Sequence, residues 1–108
     1  MAANNPMDRL DKRELESALA NQLRAWSNTG QRLERTFRFA DFKAALGFVI
    51  RVGEEAEELQ HHPDIDIRYN EVTFSLTSHD AGGLTRRDLM LAGYIDEIAG
   101  RAEERLTA

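Results

Sequence analysis

Cysteine is absent from this 108-residue chain, so disulfides, thiolate metal sites and cysteine nucleophiles are excluded. Proline is scarce, with only Pro6 and Pro63, and there is a single tryptophan. No apolar run approaches the roughly 18 residues of a membrane-spanning helix. The opening Met1-Ala2-Ala3-Asn4-Asn5-Pro6 has neither the charged nor the apolar block of a signal peptide. Basic residues are in deficit, 14 Lys and Arg against 19 Asp and Glu, for a net charge of −5. That balance argues against broad binding to nucleic-acid phosphates, which needs a concentrated basic surface. A cytoplasmic protein follows as the expectation, with a small-molecule site or a protein partner left open.

The length suits one ordinary domain, and 42% hydrophobic residues can fill a small core that self-association would help. Residues 1–7 read as a flexible lead and 8–108 as a single domain. A first helix is expected from Asp8 to Trp26, because Leu15, Ala18, Leu19, Leu23 and Trp26 recur on one helical face. A strand follows in which Leu33, Phe37 and Phe39 share one parity, with Arg35 as a charged interruption. A short strand near Trp26–Gly30 would pair with it. Asp41 is a good N-cap for a second helix, whose expected core stripe is Phe42, Ala45, Leu46, Val49, Val52, Ala56 and Leu59. Phe48 and Ile50 lie off that stripe, so the helix is expected to be either deeply buried or covered by another subunit. Gly47 and Gly53 inside this helix suggest a close packing contact. Two strands come next, with Ile65, Ile67 and Tyr69 on one parity and Val72, Phe74 and Leu76 on the other. The phase change at Asn70-Glu71 is expected for a tight turn or a bulge. Thr85-Arg86-Arg87-Asp88 resembles a capping box for a third helix, with Leu91, Ala92, Ile95, Ile98, Ala99, Ala102 and Leu106 as its core stripe. Leu89, Met90 and Tyr94 form a second face. The order α-β-β-α-β-β-α implies an α+β fold, a four-stranded antiparallel sheet with helices packed on one face.

Chemistry concentrates at Glu57-Glu58-Leu59-Gln60-His61-His62-Pro63. All three histidines, His61, His62 and His79, fall within 19 positions. Histidine is the side chain that exchanges a proton near neutral pH at least cost. Pro63 disfavours the helical conformation at His62, so two imidazoles sit at a rigid helix-to-strand corner. Glu57 stands four residues before His61, a spacing at which a carboxylate can orient an imidazole. Each residue also has a plainer reading. His61 and His62 could be an exposed helix end, His79 a loop residue, Glu57 part of a solvated acidic face, and Asp88 only a helix cap. A zinc site is disfavoured, because adjacent side chains diverge and no His-x3-His pair exists. No Gly-x-Ser-x-Gly elbow supports a serine triad. Arg86-Arg87 at a helix start oppose the helix dipole. Either Asp88 and solvent offset this, or an arginine serves an anionic or polar ligand.

The run Glu57-x3-His61-His62-Pro63-x5-Tyr69-x9-His79-x8-Asp88 resembles the signature of the pterin-4a-carbinolamine dehydratases. The similarity extends from Arg24-Ala25-Trp26 through Phe37-x-Phe39-x-Asp41-Phe42, Gly47-Phe48 and Arg51-Val52 to Leu91-Ala92 and Ile95. Ile65-Asp66-Ile67 departs from it, since many members carry aromatic residues after the corner. The resemblance implies a lyase that dehydrates 4a-hydroxytetrahydropterin to quinonoid dihydropterin. This recycles the tetrahydropterin of aromatic amino-acid hydroxylases, without metal or organic cofactor. It implies His61 and His79 as acid and base, and His62 as a pterin-positioning residue. Glu57 would orient His61, and Asp88 would hold a histidine or the ligand. It implies a homodimer or homotetramer. Two alternatives accompany it: a non-catalytic assembly or dimerisation partner on the same fold, and action on a different pterin.

Overall fold

The structure, a computed structural model, describes residues 10–107, with side chains described as far as Arg101. The lead expected at 1–7 and the expected start of the first helix at Asp8 lie outside the described residues. The order of elements is α1 (Lys12–Asn21), β1 (Ser27–Asn28), β2 (Leu33–Arg38), α2 (Phe42–Leu59), β3 (Asp64–Arg68), β4 (Glu71–Leu76), a 3₁₀ turn (His79–Ala81) and α3 (Arg86–Thr107). The strands form one antiparallel sheet in the order β1-β2-β4-β3. The α-β-β-α-β-β-α order and the antiparallel sheet agree with the sequence expectation.

α1 is capped by Asp11, whose carboxylate accepts the Glu14 N–H at 2.8 Å. It stops at Asn21, well short of the expected Trp26. Leu23 and Trp26 do belong to the core, each 4% exposed, but they reach it from an irregular turn. The indole decides this. A buried tryptophan needs a partner for its N–H. Trp26 Nε1 donates to Asp96 of α3 at 2.9 Å while its ring meets Phe37 edge-on. The same Asp96 oxygen accepts Arg35 Nη1 at 2.6 Å, and the guanidinium lies 4.2 Å from the Phe37 ring centre. The charge that interrupted the apolar parity of β2 therefore covers the rim of the core.

Asp41 caps α2 as expected, accepting the Ala44 N–H at 2.8 Å. The buried stripe of α2 differs from the expected one. It comprises Ala45, Phe48, Val52 and Ala56. Phe48 is fully buried, its ring 4.7 Å from Phe39, 5.1 Å from Phe37 and 5.6 Å from Phe74. Phe42, Leu46 and Ile50 are exposed, Ile50 at 63%. Both stripes have helical period, and the aromatic rings offered by β2 and β4 select the one containing Phe48. The close contacts expected at Gly47 and Gly53 are also absent. A Cβ at Gly47 would meet only Arg51 Nη1 at 3.8 Å, and one at Gly53 nothing within 4 Å.

β3 and β4 register Ile67 against Val72 and Ile65 against Phe74, joined through Tyr69, which adopts φ 53°. Asn70 holds this turn to the end of β2. Its side-chain N–H₂ donates to the Phe39 carbonyl at 2.8 Å, and its own carbonyl accepts the Phe39 N–H at 2.9 Å. Val72, Phe74 and Leu76 close the core from the sheet, and Leu91, Ala92, Ile95 and Ala99 close it from α3. Ala102 and Leu106, expected in the α3 stripe, lie beyond the described side chains.

Candidate active site

The corner after α2 is built by the backbone. Pro63 prevents the helix from continuing, and Gln60 takes the left-handed conformation at φ 54°, ψ 39°. The His61 N–H then bonds the Ala56 carbonyl at 3.1 Å, and the Gln60 N–H bonds that of Glu57 at 3.2 Å. This is the two-bond reversal that commonly ends helices, with glutamine in the position glycine usually takes. The Gln60 amide donates to the Glu57 carbonyl at 2.8 Å, satisfying a second bond there. The reversal turns His61 under the helix end. Its residue exposure is 7%, while the neighbouring His62 stays in solvent, because successive residues of extended chain point to opposite sides.

The partners of these histidines correct one expectation. Glu57 does not orient His61. Its Oε1 lies 2.7 Å from His62 Nε2, both side chains being largely exposed. The left-handed Gln60 removes His61 from the i+4 position that the spacing promised. His61 Nε2 instead lies 2.6 Å from Asp88 Oδ1, and the Asp88 side chain is completely buried. Asp88 was expected to hold a histidine or a ligand while capping α3. It does hold His61, and its Oδ2 accepts the Thr85 N–H at 2.9 Å as the acidic half of the capping box. Thr85 Oγ1 accepts the Arg87 N–H at 3.2 Å.

His79 opens the 3₁₀ turn and is exposed. It follows directly on Ser78, which donates its hydroxyl to Asp88 Oδ2 at 2.8 Å, so the backbone of His79 borders the His61–Asp88 pair. The turn is fastened to α3 by Arg87 Nη2, which donates to both carboxylate oxygens of Asp80 at 2.9 and 3.1 Å. That hydrogen bond, then the Arg87 charge and, to a smaller extent, the charge of His61, hold the Asp80 carboxyl below its ordinary pKa. Arg86 pairs with Glu14 of α1 at 2.7 Å. Both arginines at the helix start are thus answered by carboxylates. Tyr69 is 66% exposed on the β3–β4 turn.

The corner thus holds one imidazole buried on a carboxylate, with the exposed His62 next to it in the chain and the exposed His79 next to Ser78, a donor to the same carboxylate. Ser78 completes the corner and was invisible to sequence reasoning, since a lone serine after a strand carries no signal. Among the described residues no three His, Asp or Glu side chains cluster as a metal site, and no helix is long and apolar enough to cross a membrane. A carboxylate-held imidazole with solvent-exposed imidazoles in the adjoining chain has the groups needed to move protons to and from a neutral organic substrate.

The fold and this corner define a small α+β protein with an imidazole held on a buried carboxylate at the end of its central helix. Comparison with known proteins agrees with that class. The family model described as pterin 4 alpha carbinolamine dehydratase matches residues 8–98. A Chloroflexus aurantiacus protein assigned by name to these dehydratases is 53% identical over 94 residues, covering 87% of this chain and all of its own. One from Thermosynechococcus vestitus is 46% identical over 92 residues, covering 85% and 96%. A Brucella melitensis crystal structure, described as a transcriptional coactivator/pterin dehydratase, superposes with TM-score 0.79 at 33% identity, over 84% of this chain and 98% of that one. A pterin dehydratase-like RuBisCO assembly factor of the alpha-carboxysome shares the fold, with TM-score 0.58 at 21% identity over 69% of this chain and 87% of that one. The chain belongs to the pterin-4a-carbinolamine dehydratase family.

Proposed function

We propose that the protein dehydrates a 4a-hydroxytetrahydropterin to the quinonoid dihydropterin. The observation that carries this reading is the buried His61–Asp88 pair bordered by His62 and His79, in a chain of this family. Dehydration needs one proton delivered and one removed. An acid protonates the 4a-hydroxyl, and the C4a–O bond breaks with its electron pair leaving as water. A base takes the N5 proton, and that N–H electron pair becomes the C4a=N5 double bond. His61 and His79 serve as the acid/base pair, and His62, braced by Glu57, positions the pterin. Groups that titrate near neutrality contribute about 10²–10⁴-fold each to such a step.

The proposal carries the cytoplasmic location and the homo-oligomer expected from the sequence. The exposed line Phe42, Leu46 and Ile50 on α2 supports self-association, because an apolar row on one helix face is what a second copy would cover. It equally supports a second reading, service as a protein partner, which the names of the two structural relatives describe for those proteins. The test is the dehydration rate of synthetic 4a-hydroxytetrahydropterin, followed by absorbance, for the wild type, His61→Ala and His79→Ala. Turnover well above the spontaneous rate that collapses in both variants supports the enzyme. A wild-type rate equal to the spontaneous one refutes it and leaves the partner reading.

A further inference from the structure

Asp88 receives hydrogen bonds from a chain that runs in one direction only. Its Oδ2 accepts two donors, the Thr85 N–H at 2.9 Å and the Ser78 hydroxyl at 2.8 Å. Ser78 Oγ also lies 2.8 Å from Thr85 Oγ1. A hydroxyl carries a single proton. That of Ser78 is committed to Asp88, so Thr85 is the donor to Ser78. Thr85 Oγ1 meanwhile accepts the Arg87 N–H. The order is Arg87 N–H to Thr85 O–H to Ser78 O–H to Asp88, and Ser78, Thr85 and Asp88 are each at most 1% exposed, so water does not compete. Helix capping explains Thr85 and the backbone bonds. It does not explain Ser78, which lies seven residues before Thr85 in a different segment.

Through this chain the carboxylate dictates the state of His61. Oδ1, facing Nε2 at 2.6 Å, has only acceptor capacity, so the imidazole must present Nε2–H. In the neutral ring Nδ1 then holds the free lone pair. Among the described residues it has no partner, and none of their buried side-chain nitrogens or oxygens is unsatisfied, so Nδ1 reaches solvent. We infer that Ser78 and Thr85 are positioning residues that hold His61 in its Nε2–H tautomer, making Nδ1 the atom that exchanges a proton with the substrate. The inference deepens the dehydratase reading and rests on it for the substrate, but its first test needs no turnover.

That test is long-range ¹H–¹⁵N correlation NMR of the full chain, with the His61 signals assigned by their loss in His61→Gln. The wild type at neutral pH should show the Nε2–H tautomer. In Asp88→Asn the two donors at Oδ2 keep the amide oxygen on their side, so the NH₂ faces Nε2 and His61 should switch to Nδ1–H. Its kcat should fall about 10⁴-fold, the penalty of a wrong tautomer in a histidine–aspartate pair. Ser78→Ala should lower kcat about tenfold, the worth of one hydrogen bond to a charged group, with KM within about twofold. An Nδ1–H tautomer in the wild type overturns the inference. So does an Asp88→Asn variant, folded by circular dichroism, whose tautomer is unchanged. If the tautomers behave as stated but no variant and no wild type turns over pterin, the substrate assignment falls and the positioning chain stands.

Discussion

His61 Nε2 and Asp88 Oδ1 lie 2.6 Å apart across 27 residues of chain, and both side chains are buried. One group comes from the end of α2, the other from the first turn of α3. The buried His61–Asp88 pair is thereby tied to the packing of the two long helices, and the exposed His62 and His79 are not. Removing His61 should therefore have two effects that removing His79 does not combine. His61→Ala leaves the Asp88 carboxylate buried without one partner and should cost about 1–3 kcal/mol of stability as well as activity. His79→Ala, at an exposed position, should change stability by no more than about 0.5 kcal/mol while losing activity about 10²–10⁴-fold. Urea denaturation beside the absorbance assay separates them. Equal destabilisation by both substitutions would contradict the burial difference.

Glu57→Ala frees His62, an exposed pair whose direct contribution to stability is at most about 1 kcal/mol. Its expected consequence is in binding. KM for the pterin should rise several-fold with kcat nearly unchanged, as the role proposed for His62, positioning without reacting, requires. A drop in kcat with KM constant would place Glu57 in the chemical step.

The two helical stripes of α2 predict opposite results. Phe48→Ala empties the centre of the aromatic cluster and should cost about 3–5 kcal/mol, measured by chemical denaturation. Ile50→Ser, on the exposed line, should leave the fold intact and weaken self-association, read by sedimentation at several concentrations.

Gly53 sits in mid-helix, where an added methyl group would meet nothing within 4 Å, so Gly53→Ala should gain about 0.5–1 kcal/mol from helix propensity. Thermal unfolding of the pair of proteins measures it. A loss of stability would mean that another molecule packs against this glycine.

Asp80 gives a pH dependence of known sign. Its folded pKa lies below the ordinary 3.8 because Arg87 stabilises the carboxylate. A depressed folded pKa adds stability above the unfolded value, and the addition is lost as pH falls through the folded one. Between pH 7 and pH 3 the wild type should therefore lose more thermal stability than Asp80→Asn. An identical loss in both proteins would show that the Arg87 pair contributes nothing.

Much of this protein was legible in its residues alone. The element order, the Asp41 cap, the Thr85-to-Asp88 box and the Pro63 corner follow from local rules, since caps, prolines and periodicity act within a few positions. The histidine corner was legible too, because Pro63 and the His61-His62 pair lie side by side. What the sequence left undecided was every choice between two locally equal options. Phe48 and Phe42 both fit a helical stripe, and only the rings of Phe37, Phe39 and Phe74 across the core chose Phe48. Trp26 continued the periodicity of α1, and only Asp96, 70 residues away, drew its indole out of the helix. Glu57 stood at helical spacing from His61, and the left-handed Gln60 gave it to His62 instead. Ser78 acquired its meaning solely from Asp88 and Thr85. Local sequence fixes where a helix starts and where it must stop, because those forces reach one turn. The partner of a buried polar group is decided by which surfaces pack together, and that is settled only when the helices close on the sheet.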